Sequence, residues 1–349
     1  MTWRMENILD LPFEALRERF TEMGEPAFRA EQVWQWLWRK RARSFGEMTN
    51  VSKGLRAGLE SMFEIAWPVP ENVPVSSDGT TKFLLRLADG QAVEMVLIPE
   101  RDHYTLCMSS QVGCAMGCVF CSTGRMGFVR NLAHGEMLGQ VLVAQDHIER
   151  NGLAMPLKNL VFMGMGEPLL NFETLLDGLR SMARDNGLGF GRRRVTVSTA
   201  GVPDRIRQLG ETNLARLAVS LHAPTQELRE RIMPKAAKAL PLDRLMEDIR
   251  AYPLPQRERV TLEYTLLRGV NDSDEHARQL VRLLSTTKCK VNLIACNPGP
   301  DSPYDAPPSE RVLAFEQVLR SKHLTTILRK SKGQDINAAC GQLVAAHEM

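Results

Sequence analysis

The sequence predicts an α/β protein: a partial (β/α)6, TIM-like barrel preceded by a small helical module and a short β-hairpin. Three observations carry this. Apolar runs at 104–109, 159–163, 194–198, 215–220, 260–266 and 290–295 alternate with stretches of helical period near 135–150, 172–185, 242–252, 274–286 and 310–321, the pattern of parallel strands joined by helical crossovers. Residues 1 to about 65 repeat their apolar positions at three- and four-residue intervals. Between them, 82–87 and 92–98 alternate with a period of two around the turn signal ADG. Six units suit a partial barrel better than a closed eightfold one, and a doubly wound sheet remains an alternative. Either way, ligands gather where the strands end, because the connecting loops meet there.

The expected organisation is a helical accessory, RNA-binding domain at 1–65, a linker and hairpin at 66–100, and the barrel at 101–349. In the first, Leu11, Phe13, Leu16 and Phe20 mark one helical face, and Val33, Trp34, Leu37 and Trp38 another. Tryptophans at such spacing belong to a core more often than to a stacking surface. The adjoining basic residues are the better candidates for contact with a polyanion.

With 349 residues and 44% of them hydrophobic, the chain can bury a large core. Acids and arginines interrupt the apolar positions of the first twenty residues, unlike a signal or transit peptide. No apolar run reaches the roughly 18 residues of a membrane span. Seven cysteines without an export signal point to metal or redox chemistry in the cytoplasm rather than to a disulfide framework. A net charge of +3 decides no partner. Basic clusters at Arg39–Arg43, Arg192–Arg194 and Arg329–Lys332 are compatible with RNA, although each alone reads as a solvated face.

The chemistry concentrates in CAMGCVFC, where Cys114, Cys118 and Cys121 stand at C-x3-C-x2-C spacing in one short loop. Thiolates are soft ligands and select zinc or an iron–sulfur cluster. A zinc knuckle needs a fourth ligand, for which Cys107, His103 and His134 are candidates. A cubane held by three cysteines keeps one iron open. Further along, Gly164-Met165-Gly166-Glu167-Pro168 follows a buried strand, its glycines permitting close backbone approach and Glu167 offering a carboxylate to an ammonium group. Ser198, His222 and Asn297 are polar residues at strand ends. Glu94, flanked by Val93 and Met95, is either a buried carboxylate with a raised pKa or part of a solvated strand face. Cys107 enters the cysteine loop, and Cys340 lies in DINAACGQL near the end of the chain.

The loop spacing, with Phe120 before its last thiol, resembles that of the radical S-adenosylmethionine (SAM) superfamily. SSQVGCAMGCVFCSTG, RNLAHGE, GMGEPLLN, RRVTVSTAG, LAVSLHAP, VNDSDEHA and GQDINAACGQL together resemble the RlmN/Cfr family of RNA methyltransferases over nearly the whole chain. The resemblance implies a [4Fe-4S] cluster on Cys114, Cys118 and Cys121 and SAM held by Gly166, Glu167, Ser198, Ser220, Leu221, His222 and Asn297. It also implies adenine-C2 methylation of 23S rRNA and of tRNA. In that scheme Cys340 carries the methyl group, Glu94 accepts the C2 proton, and Cys107 attacks Cys340 to release product as a transient disulfide. The expected partners are RNA and an electron donor such as flavodoxin, with the chain a monomer and no membrane involved. Cfr-type methylation of C8 and a non-catalytic, zinc-stabilised RNA-binding protein are the alternatives. Cys296 departs from the aromatic residue often found beside the equivalent of Asn297.

Overall fold

A computed structural model of the protein describes residues 5–299 and 302–345. The Pro-rich stretch expected as a loop at 297–309 is described on either side of positions 300 and 301, which lie outside that range.

The helical module is built by α1 (Phe13–Glu22), α2 (Ala27–Trp34) and α3 (Lys53–Met62). Both α1 and α2 begin immediately after a proline, which cannot donate to a preceding turn and so fits a helix start. Trp34 and Trp38 are fully buried, with ring centroids 5.5 Å apart, so they are core residues as their spacing suggested. The module is fastened to the body by His134, whose Nδ1 and Nε2 lie 2.7 Å from the Leu9 carbonyl and 2.9 Å from Ser181 Oγ. Arg184–Glu31 at 2.9 Å and Arg43–Asp146 at 3.0 Å add ion pairs.

The body is a ten-stranded sheet. In chain order its strands are β1 (Val69–Asn72), β2 (Thr81–Arg86), β3 (Ala92–Pro99), β4 (Tyr104–Cys107), β5 (Leu157–Phe162), β6 (Val195–Thr199), β7 (Arg216–Ser220), β8 (Val260–Leu266), β9 (Cys289–Ala295) and β10 (Thr326–Arg329). Each strand pairs with its neighbour in sequence. β4 to β10 are parallel and β1 to β4 antiparallel. The sheet is open, as a partial barrel requires: β1 and β10 are its two free ends among the described residues.

The six expected parallel strands are all present, and β10 adds a seventh beside β9. The expected hairpin does not stand apart, because β1, β2 and β3 continue the sheet from the edge of β4. Crossovers are supplied by α4 (His134–Arg150), α5 (Phe172–Ala183), α6 (Arg205–Thr212), α7 (Gln226–Ile232), α8 (Pro234–Ala239), α9 (Leu242–Ala251), α10 (Asp274–Leu284) and α11 (Ser309–Ser321). One large core joins the module, hairpin and sheet, while a second, smaller one formed around Met116, Ile232 and Met233 lies under the cysteine loop. Among the described residues no helix is long and apolar enough to cross a membrane.

Candidate active site

All seven parallel strands deliver polar groups at their carboxyl ends. The cysteine loop follows β4 and is fixed by backbone bonds: Cys114 N–H to the Gly127 carbonyl at 2.7 Å, Cys121 N–H to the Cys118 carbonyl at 3.1 Å, and Val119 N–H to the Ile232 carbonyl at 3.1 Å. Phe120 meets His222 edge-on at 4.9 Å. The three thiols line one open cavity with Gly166, Glu167, Ser198, Ser220, His222 and Asn297.

The donor set fits a cluster. Burial pushes the Cys114 thiol up to about 12 and Cys118 well above its ordinary value, and the neighbouring thiols add to both shifts. Buried thiols in mutual repulsion are poor anions until a metal centre supplies positive charge. Four thiolates on one zinc lie within about 4 Å of one another. Here the three thiols line a shared cavity, and none of the proposed fourth zinc ligands lines it with them. His103 contacts Asp102 and Asn159, His134 contacts Leu9 and Ser181, and Cys107 opens onto a neighbouring cavity.

Gly164 and Gly166 line the cavity, and they also permit close packing within the chain. A Cβ on Gly164 would sit 2.7 Å from the Met108 carbonyl oxygen, and one on Gly166 would sit 2.6 Å from Gln111 Cβ. They let the loop after β5 lie flat against the segment entering the cysteine loop. That contact turns Glu167 inward, where Oε1 accepts from Leu169 N–H at 3.0 Å and Oε2 from Ala200 N–H at 2.7 Å. Burial raises its carboxyl to about 6 despite these bonds.

His222 accepts from Thr265 N–H at 2.9 Å through Nδ1, which leaves its proton on Nε2. Burial, reinforced by the Arg229 cation, holds its pKa down at about 3. Asn297 is held at both ends of its amide, accepting from Gln334 Nε2 at 2.7 Å and donating to the Cys340 carbonyl at 3.4 Å. Leu221 lies in the core rather than in the cavity wall, its backbone N–H bonded to the Glu263 carbonyl at 3.1 Å.

The two distant thiols meet. Cys340 lines the cysteine-loop cavity and also a small adjoining one, and Cys107 forms part of the second wall. Both are free thiols, and Cys340 is exposed where it faces these cavities. Burial, with the proximity of Cys340, pushes the Cys107 thiol up to about 12. Dense surroundings raise Cys340 as well, and the Arg329 guanidinium opposes the shift.

Glu94 is buried, which decides between its two sequence readings, but it lies behind the cavity rather than in its wall. Its Oε1 is 2.9 Å from Lys82 Nζ, and its Oε2 accepts from Val344 N–H at 2.8 Å. Burial raises this carboxyl against the pull of Lys82.

Glu263 is a cavity residue that sequence reasoning missed, and Arg329, read there only as part of a basic cluster, lines the same cavity. Glu263 gave the same signal as Glu94, an acid inside an apolar strand, and is also buried, with Oε2 unpartnered in the described structure. Of the basic clusters, only the one at 329–332 reaches a cavity beside the thiols. Arg192–Arg194 stands at the amino end of β6, where Arg192 pairs with Glu258 at 2.6 Å. Arg41 and Arg43 pair with Glu149 and Asp146 on α4.

Comparison with known proteins agrees with this geometry. Residues 6–65 match the family described as Ribosomal RNA large subunit methyltransferase N-terminal domain, and residues 108–281 match the Radical SAM superfamily. The dual-specificity RNA methyltransferase RlmN of Solidesulfovibrio magneticus is 60% identical, with 98% of this chain and 97% of that protein covered. The protein of that name from Lawsonia intracellularis is 49% identical, with 97% of this chain and 96% of that one covered. A crystal structure of a radical SAM methyltransferase from Sphaerobacter thermophilus superimposes with a TM-score of 0.92 at 42% identity, covering 98% of this chain and all of that one. Identity of this extent over nearly the whole of both chains, with a radical SAM domain across 108–281, places the protein in the RlmN family of radical SAM methyltransferases.

Proposed function

We propose that this chain methylates C2 of an adenine in 23S rRNA and in tRNA, with the methyl group carried on Cys340. The observation that carries the reading is the position of Cys340, in the wall common to the cysteine-loop cavity and to the cavity of Cys107. The cofactors of a radical SAM methyltransferase are a [4Fe-4S] cluster and SAM. Here Cys114, Cys118 and Cys121 would hold the cluster, and Gly166, Glu167, Ser198, Ser220, His222 and Asn297, which line the same cavity, would hold SAM. Together the two supply the methyl group and the one-electron chemistry that activates it.

The chain's own residues account for the rest. C2 of adenine is electron-poor and its hydrogen is not acidic, so a carbon radical, not a nucleophilic displacement, has to form the bond. Cys340 gives up its thiol proton on accepting the methyl group; that methyl then loses one hydrogen atom and its carbon bonds to C2, with one electron leaving the adduct, both within the one-electron chemistry the cofactors would supply, so that RNA becomes joined to the protein through Cys340 Sγ. Glu94 takes the C2 proton once the C-terminal segment that it caps has moved away. Cys107 then attacks Cys340 Sγ as a thiolate. The sulfur–carbon bond breaks with its electron pair on carbon, which is protonated to the product methyl, and a Cys107–Cys340 disulfide remains.

The basic residues Lys330 and Lys332, beside the cavity shared by the two thiols, contact phosphates flanking the target base. Residues 1–65 form an accessory RNA-binding domain, 66–100 a linker and hairpin, and 101–349 the catalytic body. The electron donor is a small redox protein such as flavodoxin. The protein acts as a cytoplasmic monomer.

The test is a pair of variants supplied with RNA, SAM and a reductant. Cys107→Ala accumulates a covalent protein–RNA adduct, whereas Cys340→Ala forms neither adduct nor product. Equal loss of activity with no adduct in either variant refutes the assignment of the two thiols.

A further inference from the structure

We infer that the turn between β1 and β2, with Asp335, is a clamp that positions Cys340 for methyl transfer. The turn reads Ser76-Ser77-Asp78-Gly79-Thr80 and lies on the antiparallel extension, far in sequence from the C-terminal segment. It is closed on itself by Ser76 N–H to the Thr80 carbonyl at 2.8 Å and Gly79 N–H to the Ser76 carbonyl at 2.9 Å. Three further polar groups of the turn reach the segment that carries Cys340. Ser76 Oγ donates to Asp335 Oδ1 at 2.5 Å, and Ser77 N–H donates to Asp335 Oδ2 at 3.0 Å. In the reverse direction Gly333 N–H donates to Asp78 Oδ2 at 3.1 Å.

Lys82, at the start of β2, reaches the Asn337 carbonyl at 3.4 Å while holding Glu94 at 2.9 Å. Packing reinforces the bonds. Gly333 has φ +64, and a Cβ there would fall 2.9 Å from Thr80 Cγ2 and 2.8 Å from Ala338 Cβ. Asn337, at φ +52, turns the chain again, and Ala338 N–H closes the loop on the Gly333 carbonyl at 2.8 Å.

Cys340 therefore hangs between two anchors. On one side is the clamp, ending at Ala338. On the other, the Gly341 carbonyl accepts from Ser122 N–H at 2.8 Å and the Leu343 carbonyl from Thr123 Oγ1 at 2.6 Å, just beyond the cysteine loop. Charge-assisted bonds to a carboxylate are stronger than neutral ones, and both carboxylates are ionised at neutral pH. The Asp335 carboxyl is lowered by Ser76 and Ser77. Burial works against Asp78, yet Thr80, Gly333 and Ser76 hold it at about 2. The ladder of β1 and β2 does not depend on these contacts. What they define is where Cys340 stands relative to the three-thiol cavity.

The inference rests on Cys340 as methyl carrier, and its test separates the two claims. Full-length, cluster-loaded protein is given SAM with an isotopically labelled methyl group, and label on Cys340 is followed by peptide mass spectrometry; KM for RNA is measured in parallel. Asp335→Ala slows labelling by about 100-fold, the scale of a misplacement near 1 Å, with KM for RNA unchanged. Asp335→Asn, whose amide can accept from Ser77 and donate to Ser76, labels within about threefold of the wild type. Ser76→Ala, which removes the bond to Asp335 and the acceptor of Asp78 N–H but no charge, gives an intermediate loss and remains informative if Asp335→Ala folds poorly. Wild-type rates in Asp335→Ala and Ser76→Ala, or Asp335→Asn as slow as Asp335→Ala, overturn the clamp. Absence of label on Cys340 in the wild type overturns the carrier role, and the clamp with it.

Discussion

Gly166→Ala should damage the protein more than alanine at a positive-φ glycine with open space around it, and the structure says by how much. Gly166 has φ +99, where an L-residue costs about 1–3 kcal/mol in backbone strain. The added methyl carbon would stand 2.6 Å from Gln111 Cβ and 2.8 Å from both Gln111 Cγ and N. Those atoms cannot step aside, because Gln111 Oε1 accepts from Glu167 N–H at 2.8 Å and its Nε2 donates to Asn131 Oδ1 at 2.8 Å. Overpacking of this kind costs about 1–3 kcal/mol more. The total, about 2–6 kcal/mol, is a large part of the roughly 5–15 kcal/mol that holds a domain folded.

Gly90→Ala is the control. Gly90 has φ +86 and nothing within 4 Å of its would-be Cβ, so the variant bears the backbone cost alone. Urea unfolding of the two variants without cofactors measures the difference, expected at about 1–3 kcal/mol. Isothermal titration with SAM should show at least about tenfold weaker binding for Gly166→Ala, since Glu167 moves with it, and an unchanged value for Gly90→Ala. Equal destabilisation by the two substitutions would show that Gly166 is needed only for its dihedral angle, and the packing argument would fail.

Two further expectations follow from the carboxylates. Glu167 holds its proton more tightly in the folded chain, at about 6 against 4.5 when unfolded, so stability is undiminished by this group below pH 4.5 and falls as pH rises through 6. The loss is roughly 2 kcal/mol, measurable as the slope of unfolding free energy against pH in cofactor-free protein. Glu167→Gln should flatten that slope and lower stability by about 1–3 kcal/mol below pH 4.5, because its NH2 cannot accept from Leu169 or Ala200, with the deficit shrinking by roughly 2 kcal/mol once pH passes 6; an unaltered slope counts against the assignment. Glu94→Ala removes the acceptor of Val344 N–H, so hydrogen exchange of that amide should quicken about tenfold or more, and unchanged protection would mean that the carboxylate does not hold the segment.

Much of this protein is legible without coordinates. The runs 159–163, 194–198, 215–220, 260–266 and 290–295 announce β5 to β9 because a strand buried on both faces needs unbroken apolar sequence. The cysteine loop is legible for a simpler reason: three thiols within eight residues cannot be far apart, whatever the fold. Elements that draw stability from context were missed. β10 is four residues set among charges and is a strand only because β9 offers it an edge. Helices α6, α7 and α8 are short and rich in charge, with apolar faces too narrow to show a period.

The meeting of Cys107 and Cys340 lies on the other side of that division. Cys107 ends β4, and Cys340 follows β10 at the far edge of the parallel strands, so only the curvature of the sheet brings the two thiols to one cavity. The same holds for Arg192–Arg194, which charge alone left compatible with RNA or with a solvated face and strand direction places at the opposite end from the thiols. Which residue types the reaction needs is local chemistry, and composition and spacing record it. Which of them share a cavity depends on strand order and register, and these are set by packing between segments hundreds of residues apart.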